Sequence, residues 1–307
     1  GETVPFAAGF CGMHPATERA WGRLVQRHLR GIGVRQRGYG DPMGHRPLRE
    51  ALAEYLRVSR SVACDADRIA IVSGSQQGLD LVLRAVAQEG DPAWIEDPCY
   101  PAALACLRQH QLRIAPVPVD GQGLDVAAGL ALEPEARLLY CTPTHHYPLG
   151  VAMSLPRRLA LLDWARDGRW VIEDDYDSEF RFSGRPLSAL QGLDRHGRVV
   201  YIGTLSKVLF PGLRVGYVVL PPQLVDRFAV IRNAADRFPS TILDDVLVDF
   251  INEGHFTRHI RRMRQEYAER RERLIAALAA EAGDDLTVAP IDRGMYLVAD
   301  LRPGLDD

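Results

Sequence analysis

Short apolar runs rich in Val, Ile and Tyr recur along the chain, and stretches with helical spacing follow most of them. The runs over residues 68–73, 93–97, 112–117, 137–142, 169–174, 199–204 and 214–220 predict strands. Helical patterns over residues 45–57, 75–88, 100–109 and 155–166 lie between them. This alternation predicts an α/β fold, with a mixed, mainly parallel sheet flanked by helices. Ligands of such sheets sit beyond the carboxyl ends of the strands, so the chemistry is sought there. After residue 220 the pattern changes. A helical stretch runs from about 242 to 282, broken near Gly254, and an apolar segment at 295–301 reads as a strand. We therefore expect an N-terminal segment (1–36), a large domain (37–240), and a long helix with the start of a smaller C-terminal α/β domain (241–307). So little follows the long helix that this last domain is expected to be incomplete.

Composition narrows the function. The net charge of -3 supplies no global basic field for nucleic acid or an anionic membrane. No apolar run is long enough to span a membrane, and the first residues lack the pattern of a signal peptide. The five cysteines are scattered without a C-x-x-C, which argues against a disulfide framework or a zinc site and for a reducing cytoplasm.

One count is more pointed. Lys and Arg total 37, and Lys207 is the single lysine. Arginine stays protonated, whereas a lysine amine can lose its proton and attack a carbonyl to form a Schiff base. Lys207 ends the strand-like segment Tyr201-Ile202-Gly203-Thr204-Leu205-Ser206-Lys207, and Arg214 follows. Thr204 and Ser206 are donors and Arg214 is a bidentate clamp for a phosphate. An imine-forming amine beside a phosphate cradle is what pyridoxal 5'-phosphate (PLP) requires. Residues 170–176 run from an apolar strand into Asp174, Asp175 and Tyr176. Strand alternation puts Asp174 and Tyr176 on one face and Asp175 on the other. An anion at the pyridine nitrogen and a donor near the phenolic oxygen are the pair that a PLP ring needs. An acidic loop start is the plainer reading of these acids taken alone. Residues 71–79 read as strand, Gly-Ser turn and helix start, which aims backbone N–H groups at an anion; Ser75 equally suits an N-cap. Tyr100, after the strand at 93–97, is placed to stack on a flat ring or to serve as an ordinary surface aromatic. His145 and His146 are neighbours on an extended segment, so they point apart and do not suggest a metal site. The basic helix at 258–273 interleaves its arginines with Glu266, Glu269 and Glu272, as a solvated, ion-paired helix does.

Together these residues resemble the fold-type-I PLP enzymes of the aspartate aminotransferase superfamily. More narrowly, the chain is similar to the aminotransferase-like domain of MocR-type transcription regulators, a branch of the GntR family. The segments that carry the resemblance are 38–44 with Leu48-Arg49, 73–78, 96–101, Asp174–Arg181 (DDYDSEFR), 203–207, 211–217 and 261–271. The resemblance implies that Lys207 forms the internal aldimine, Asp174 pairs with the pyridine nitrogen and Tyr176 with the phenolic oxygen. It implies that Tyr100 stacks on the ring and that Ser75, Gln76, Thr204, Ser206 and Arg214 hold the phosphate. It further implies a homodimer in which Tyr39 reaches the phosphate of the neighbouring subunit. Aminotransferases usually carry Asn-Pro-x-Gly, but this chain has Tyr147-Pro148-Leu149-Gly150, a departure that MocR domains share. The expected function is a PLP-binding sensor of an amino compound, linked to DNA through a winged helix upstream of residue 1. The alternative is a catalytic aminotransferase acting on amino acids and 2-oxo acids.

Overall fold

The computed structural model describes residues 11–30, 38–184 and 187–305. Of the expected N-terminal segment, residues 1–10 and 31–36 lie outside the described residues. The chain opens with α1 (Pro15–Leu29) and α2 (Arg46–Arg60). Then β1 (Ile69–Val72), α3 (Ser75–Val86), β2 (Pro92–Asp97) and α4 (Pro101–Gln109) alternate. They are followed by β3 (Arg113–Asp120), β4 (Gly123–Leu124), α5 (Val126–Leu132), β5 (Leu138–Cys141) and α6 (Leu155–Ala165). The strands β6 (Trp170–Asp175), β7 (Val199–Thr204) and β8 (Gly216–Val219) complete the main sheet, whose order is β1-β8-β7-β6-β5-β2-β3-β4. β3, β2, β5, β6 and β7 run parallel. β8 lies antiparallel between β1 and β7, and β4 closes the far edge as a short antiparallel strand. All seven predicted strands form, in a mixed, mainly parallel sheet.

Period-two alternation sorts the strand residues between the two faces of the sheet. Tyr201, Tyr217 and Val219 face one way, onto Leu48, Leu52 and Phe250. Val200, Ile202 and Val218 face the other, onto Leu79, Val82 and Phe228. Each such fully buried Leu, Val or Phe contributes about 1.5–3 kcal/mol relative to exposure. The faces are covered by helices in part unforeseen from the sequence: α1, α5 and α7 (Val225–Ala235).

The helical stretch beyond the sheet breaks where expected. α8 (Asp244–Asn252) stops and α9 (His255–Ala282) starts on Gly254, whose φ of +74° suits glycine. The segment after α9 departs from expectation. Only β10 (Ala299–Leu301) is a strand, paired with β9 (Leu286–Val288). Met295 and Tyr296 do not extend it, because hydrogen bonds draw them back toward the main sheet. Met295 N donates to Asp177, Tyr296 Oη donates to the His146 carbonyl, and Gly294 N donates to the Phe180 carbonyl.

Candidate functional site

The carboxyl ends of β5, β6 and β7 and the amino end of α3 surround a cavity of about 400 Å³. Its lining includes Ser75, Gln76, Tyr100, Asp174, Tyr176, Thr204, Ser206, Lys207 and Arg214. Every predicted site residue except Tyr39 is therefore brought to one place. Tyr39 lies on the surface, 82% exposed, with its ring edge-on to Phe238 and the Arg237 guanidinium 4.8 Å above it.

Strand geometry builds the acidic wall. β6 alternates, so Asp174 opens into the cavity while Asp175 turns to the opposite face. There Asp175 accepts from Arg60 Nη2 (2.6 Å) and Nε (2.9 Å) and from Tyr201 Oη (2.7 Å). Asp174 Oδ2 accepts from Tyr140 Oη at 2.7 Å, whereas its buried Oδ1 has no partner among the described residues. Burial pushes the Asp174 carboxyl up to about 6, against the lowering effect of the Tyr140 hydrogen bond; Asp175 and Asp177 add repulsion. A buried carboxylate with one unsatisfied oxygen is costly unless a donor, preferably cationic, meets it. Glu96, beneath the site, is pushed up to about 8 by the same desolvation, while Thr142 N and Oγ1 donate to it at 2.9 Å each.

The opposite wall is suited to an anion. The N-cap of α3 is Gly74, not Ser75, so the Ser75 hydroxyl is not spent on capping. The first intrahelical bond runs from Gly78 N to the Gly74 carbonyl, which leaves the N–H groups of Ser75 and Gln76 open at the helix end. Gly74 has φ of +89°, and a Cβ there would lie 2.8 Å from Arg214 Nη2. Arg214 itself adopts φ of +49° and donates to the Ser73 carbonyl at 2.9 Å. Ser206 N donates to Thr204 Oγ1, and the buried Ser206 Oγ has no partner among the described residues. Lys207 sits on the turn between β7 and β8, and its carbonyl accepts from Cys11 Sγ at 3.0 Å.

Sequence reasoning missed several lining residues. Tyr140 is the penultimate residue of β5, as Asp174 is of β6, and the strand-end rule that singles out Asp174 would find it. Tyr147 shows in the sequence only as a departure from a motif; its ring stands edge-on to Tyr100 at 5.5 Å. Tyr296 enters from beyond α9, and its hydroxyl meets that of Tyr176 at 2.9 Å. No local signal marks it. Tyr176 Oη also donates to the His145 carbonyl at 3.0 Å. His145 and His146 do diverge: Nδ1 of His145 meets Asp177 at 2.9 Å, whereas His146 Nε2 lies 3.6 Å from Glu96, beyond hydrogen-bond range.

A family model described as aminotransferase class I and II matches residues 12–306. A probable rhizopine catabolism regulatory protein, MocR of Rhizobium meliloti, is 41% identical over all of this chain and 62% of its own length. An uncharacterized HTH-type transcriptional regulator of Bacillus subtilis, YdeL, is 34% identical over 92% of this chain and 60% of its own. The chain thus spans about three-fifths of the length of these curated relatives. Among solved structures, the α-aminoadipate aminotransferase LysN of Thermus thermophilus, complexed with N-(5'-phosphopyridoxyl)-L-leucine, superposes with a TM-score of 0.86. It is 30% identical, with 98% of this chain and 77% of that chain covered.

The cofactor that this kinship implies is PLP, and the residues present fit it. The open Asp174 oxygen suits a protonated ring nitrogen. The α3 amino end, the unpartnered Ser206 hydroxyl and Arg214 form a cradle that a side chain at Gly74 would fill. No helix among the described residues is long and apolar enough to cross a membrane. With regulators and enzymes both among its relatives, the chain belongs to the class I and II aminotransferase family, as an aminotransferase-like domain similar to that of MocR-type regulators.

Proposed function

We propose that this chain is the PLP-binding, effector-sensing part of a transcription regulator that answers to an amino compound. The observation that carries the reading is the meeting of the chain's one lysine with a buried, half-satisfied carboxylate across a single cavity. When bound, PLP supplies a carbonyl carbon open to amines and a ring that withdraws electrons. Lys207 holds it covalently. Asp174 keeps the proton on the ring nitrogen, and Tyr140 holds Asp174 in position. Tyr176 stands at the phenolic oxygen and Tyr100 against the ring. Ser75, Gln76, Thr204, Ser206 and Arg214 bind the phosphate.

An entering amino compound competes with the Lys207 amine for the same place. The thiol contact from Cys11 to the Lys207 carbonyl ties the lysine turn to the N-terminal side of the chain, the direction in which we infer a winged-helix DNA-binding domain. Such a ligand shifts the DNA-binding equilibrium only by the difference in its affinity for the two states. The exposed Tyr39, outside its own chain's cavity, supports a homodimer in which it serves the partner's site. A cytoplasmic setting agrees with five scattered cysteines that form no C-x-x-C.

The test is Lys207→Arg. Arginine keeps the charge and cannot form the bond, so the visible absorption of the PLP-loaded protein should vanish. Borohydride reduction followed by peptide mapping should label Lys207; label at any other residue overturns the assignment.

A further inference from the structure

A second cavity, of about 590 Å³, shares Asp177 with the first. Five arginines line it: Arg60, Arg181, Arg261, Arg264 and Arg293. Arg60 is committed to Asp175, and Arg293 is paired with Asp292. Arg181 and Arg264 donate only to the carbonyls of Ser183 and Glu179, and Arg261 forms no hydrogen bond or ion pair among the described residues. Arg261 and Arg264 therefore lack a carboxylate in this concavity among the described residues, and Arg181 acts on Asp292 without forming an ion pair with it. The two acids of its wall are occupied: Asp177 by His145 and Met295 N, and Glu179 by Tyr55 Oη at 2.9 Å. Burial raises the Glu179 carboxyl, which further weakens the negative side.

A second observation points to a ligand. Arg181 Nη1 and Arg293 Nη1 are both buried without a hydrogen-bond partner among the described residues. Buried donors of this kind are rare, because their lost hydration goes unrepaid. Guanidinium groups are suited to oxyanions, which they bind through paired N–H donors. The volume exceeds that of an inorganic ion and falls within the range of small-ligand sites.

We propose that this cavity binds a small organic anion carrying two or more anionic oxygens, as carboxylates or as a phosphate ester, with Arg181, Arg261, Arg264 and Arg293 as its cationic wall. The site is separate from the PLP cavity and does not depend on the reading of it. Asp177 lines both cavities, and the carbonyl of His145, which lines the second, accepts from Tyr176 of the first, so occupancy of one side bears on the other.

Titration calorimetry on the complete gene product tests this, with citrate and glycerol 3-phosphate as probes. Loading with PLP first fills the phosphate cradle of the first cavity. A parallel series on Arg214→Gln disables that cradle and holds even if PLP does not load. Saturable binding is expected in both series, and the better probe tells carboxylate from phosphate recognition. Arg261→Gln/Arg264→Gln removes two exposed guanidinium groups outside the packed core and should weaken binding by at least about tenfold. Arg181→Gln should weaken it as well. Absence of saturable binding by either probe, or affinity unchanged in these variants, overturns the proposal.

Discussion

Asp174 and Asp175 are chemically the same and adjacent, yet pleating gives them opposite tasks. Asp175 is saturated by Arg60 and Tyr201, as a structural ion pair is. Asp174 keeps one oxygen open inside a cavity, at a cost to the fold. The two substitutions should therefore separate. Asp174→Asn should weaken PLP binding by about 10- to 100-fold, the worth of a charge-assisted hydrogen bond of roughly 1.5–3 kcal/mol. The same change should stabilise the unliganded protein. The folded carboxyl is raised to about 6 from an ordinary 3.8, so the penalty of ionising it is absent below the lower value and grows as pH rises to the higher one. The gain, at most about 3 kcal/mol, should thus be present above pH 6 and vanish in acid. Asp175→Asn should instead lower the melting temperature, because it leaves Arg60 buried beside a neutral partner. Melting curves across pH, with and without PLP, check both. Equal effects of the two variants on PLP absorption would refute the assignment of faces.

At the level of elements, the proposed phosphate cradle is built from the amino end of α3 and the turn after β7, and glycine is what lets them approach. Gly74→Ala forces a side chain into φ of +89° and against Arg214. We expect a loss of about 1–3 kcal/mol in stability from the strain and clearly weaker PLP binding. Gly283→Ala is the control: its φ is +54°, and nothing lies within 4 Å of the added carbon. It should lower stability modestly and leave PLP binding intact; comparable loss of binding in both would argue against a local cradle. These elements also show what could be read in advance. The strands were legible because buried β-rich runs ending in polar turns have few other readings, and their carboxyl ends led to Asp174, Tyr100 and Lys207. The Lys207 reading also rested on its solitude among arginines, a signal that needs no structure. Ser75 is a natural N-cap by residue type, yet Gly74 takes that position. Met295 and Tyr296 looked like strand residues because their apolar pattern carries no trace of the distant Asp177 and Tyr176 that capture them. The second cavity was hidden for the same reason: its arginines come from α2, the segment after β6, α9 and the loop after β9, and only folding gathers them.

At the scale of the whole molecule, the question is whether this site turns substrate over or holds it. The chain carries Lys207, Asp174 and the α3 amino end, to which we assign the holding of PLP, but Tyr147 stands where aminotransferases usually keep asparagine. Its ring packs edge-on to Tyr100, and the Tyr176 hydroxyl is already shared with Tyr296 and the His145 carbonyl. A donor occupied in this way is less free to tune the phenolic oxygen through later proton transfers, while the first exchange of amines needs only Lys207. A regulator gains from stopping there, since an effector that is consumed cannot hold a switch. We therefore expect the complete gene product to bind a specific DNA site and to convert amino acids to oxo acids slowly or not at all. Gel shifts with and without candidate amines, beside steady-state transamination assays on the same preparation, decide the matter. An amine that alters both PLP absorption and DNA affinity supports the sensor, and Lys207→Arg should abolish both responses together. Rapid multiple turnover without specific DNA binding would make the aminotransferase reading the correct one.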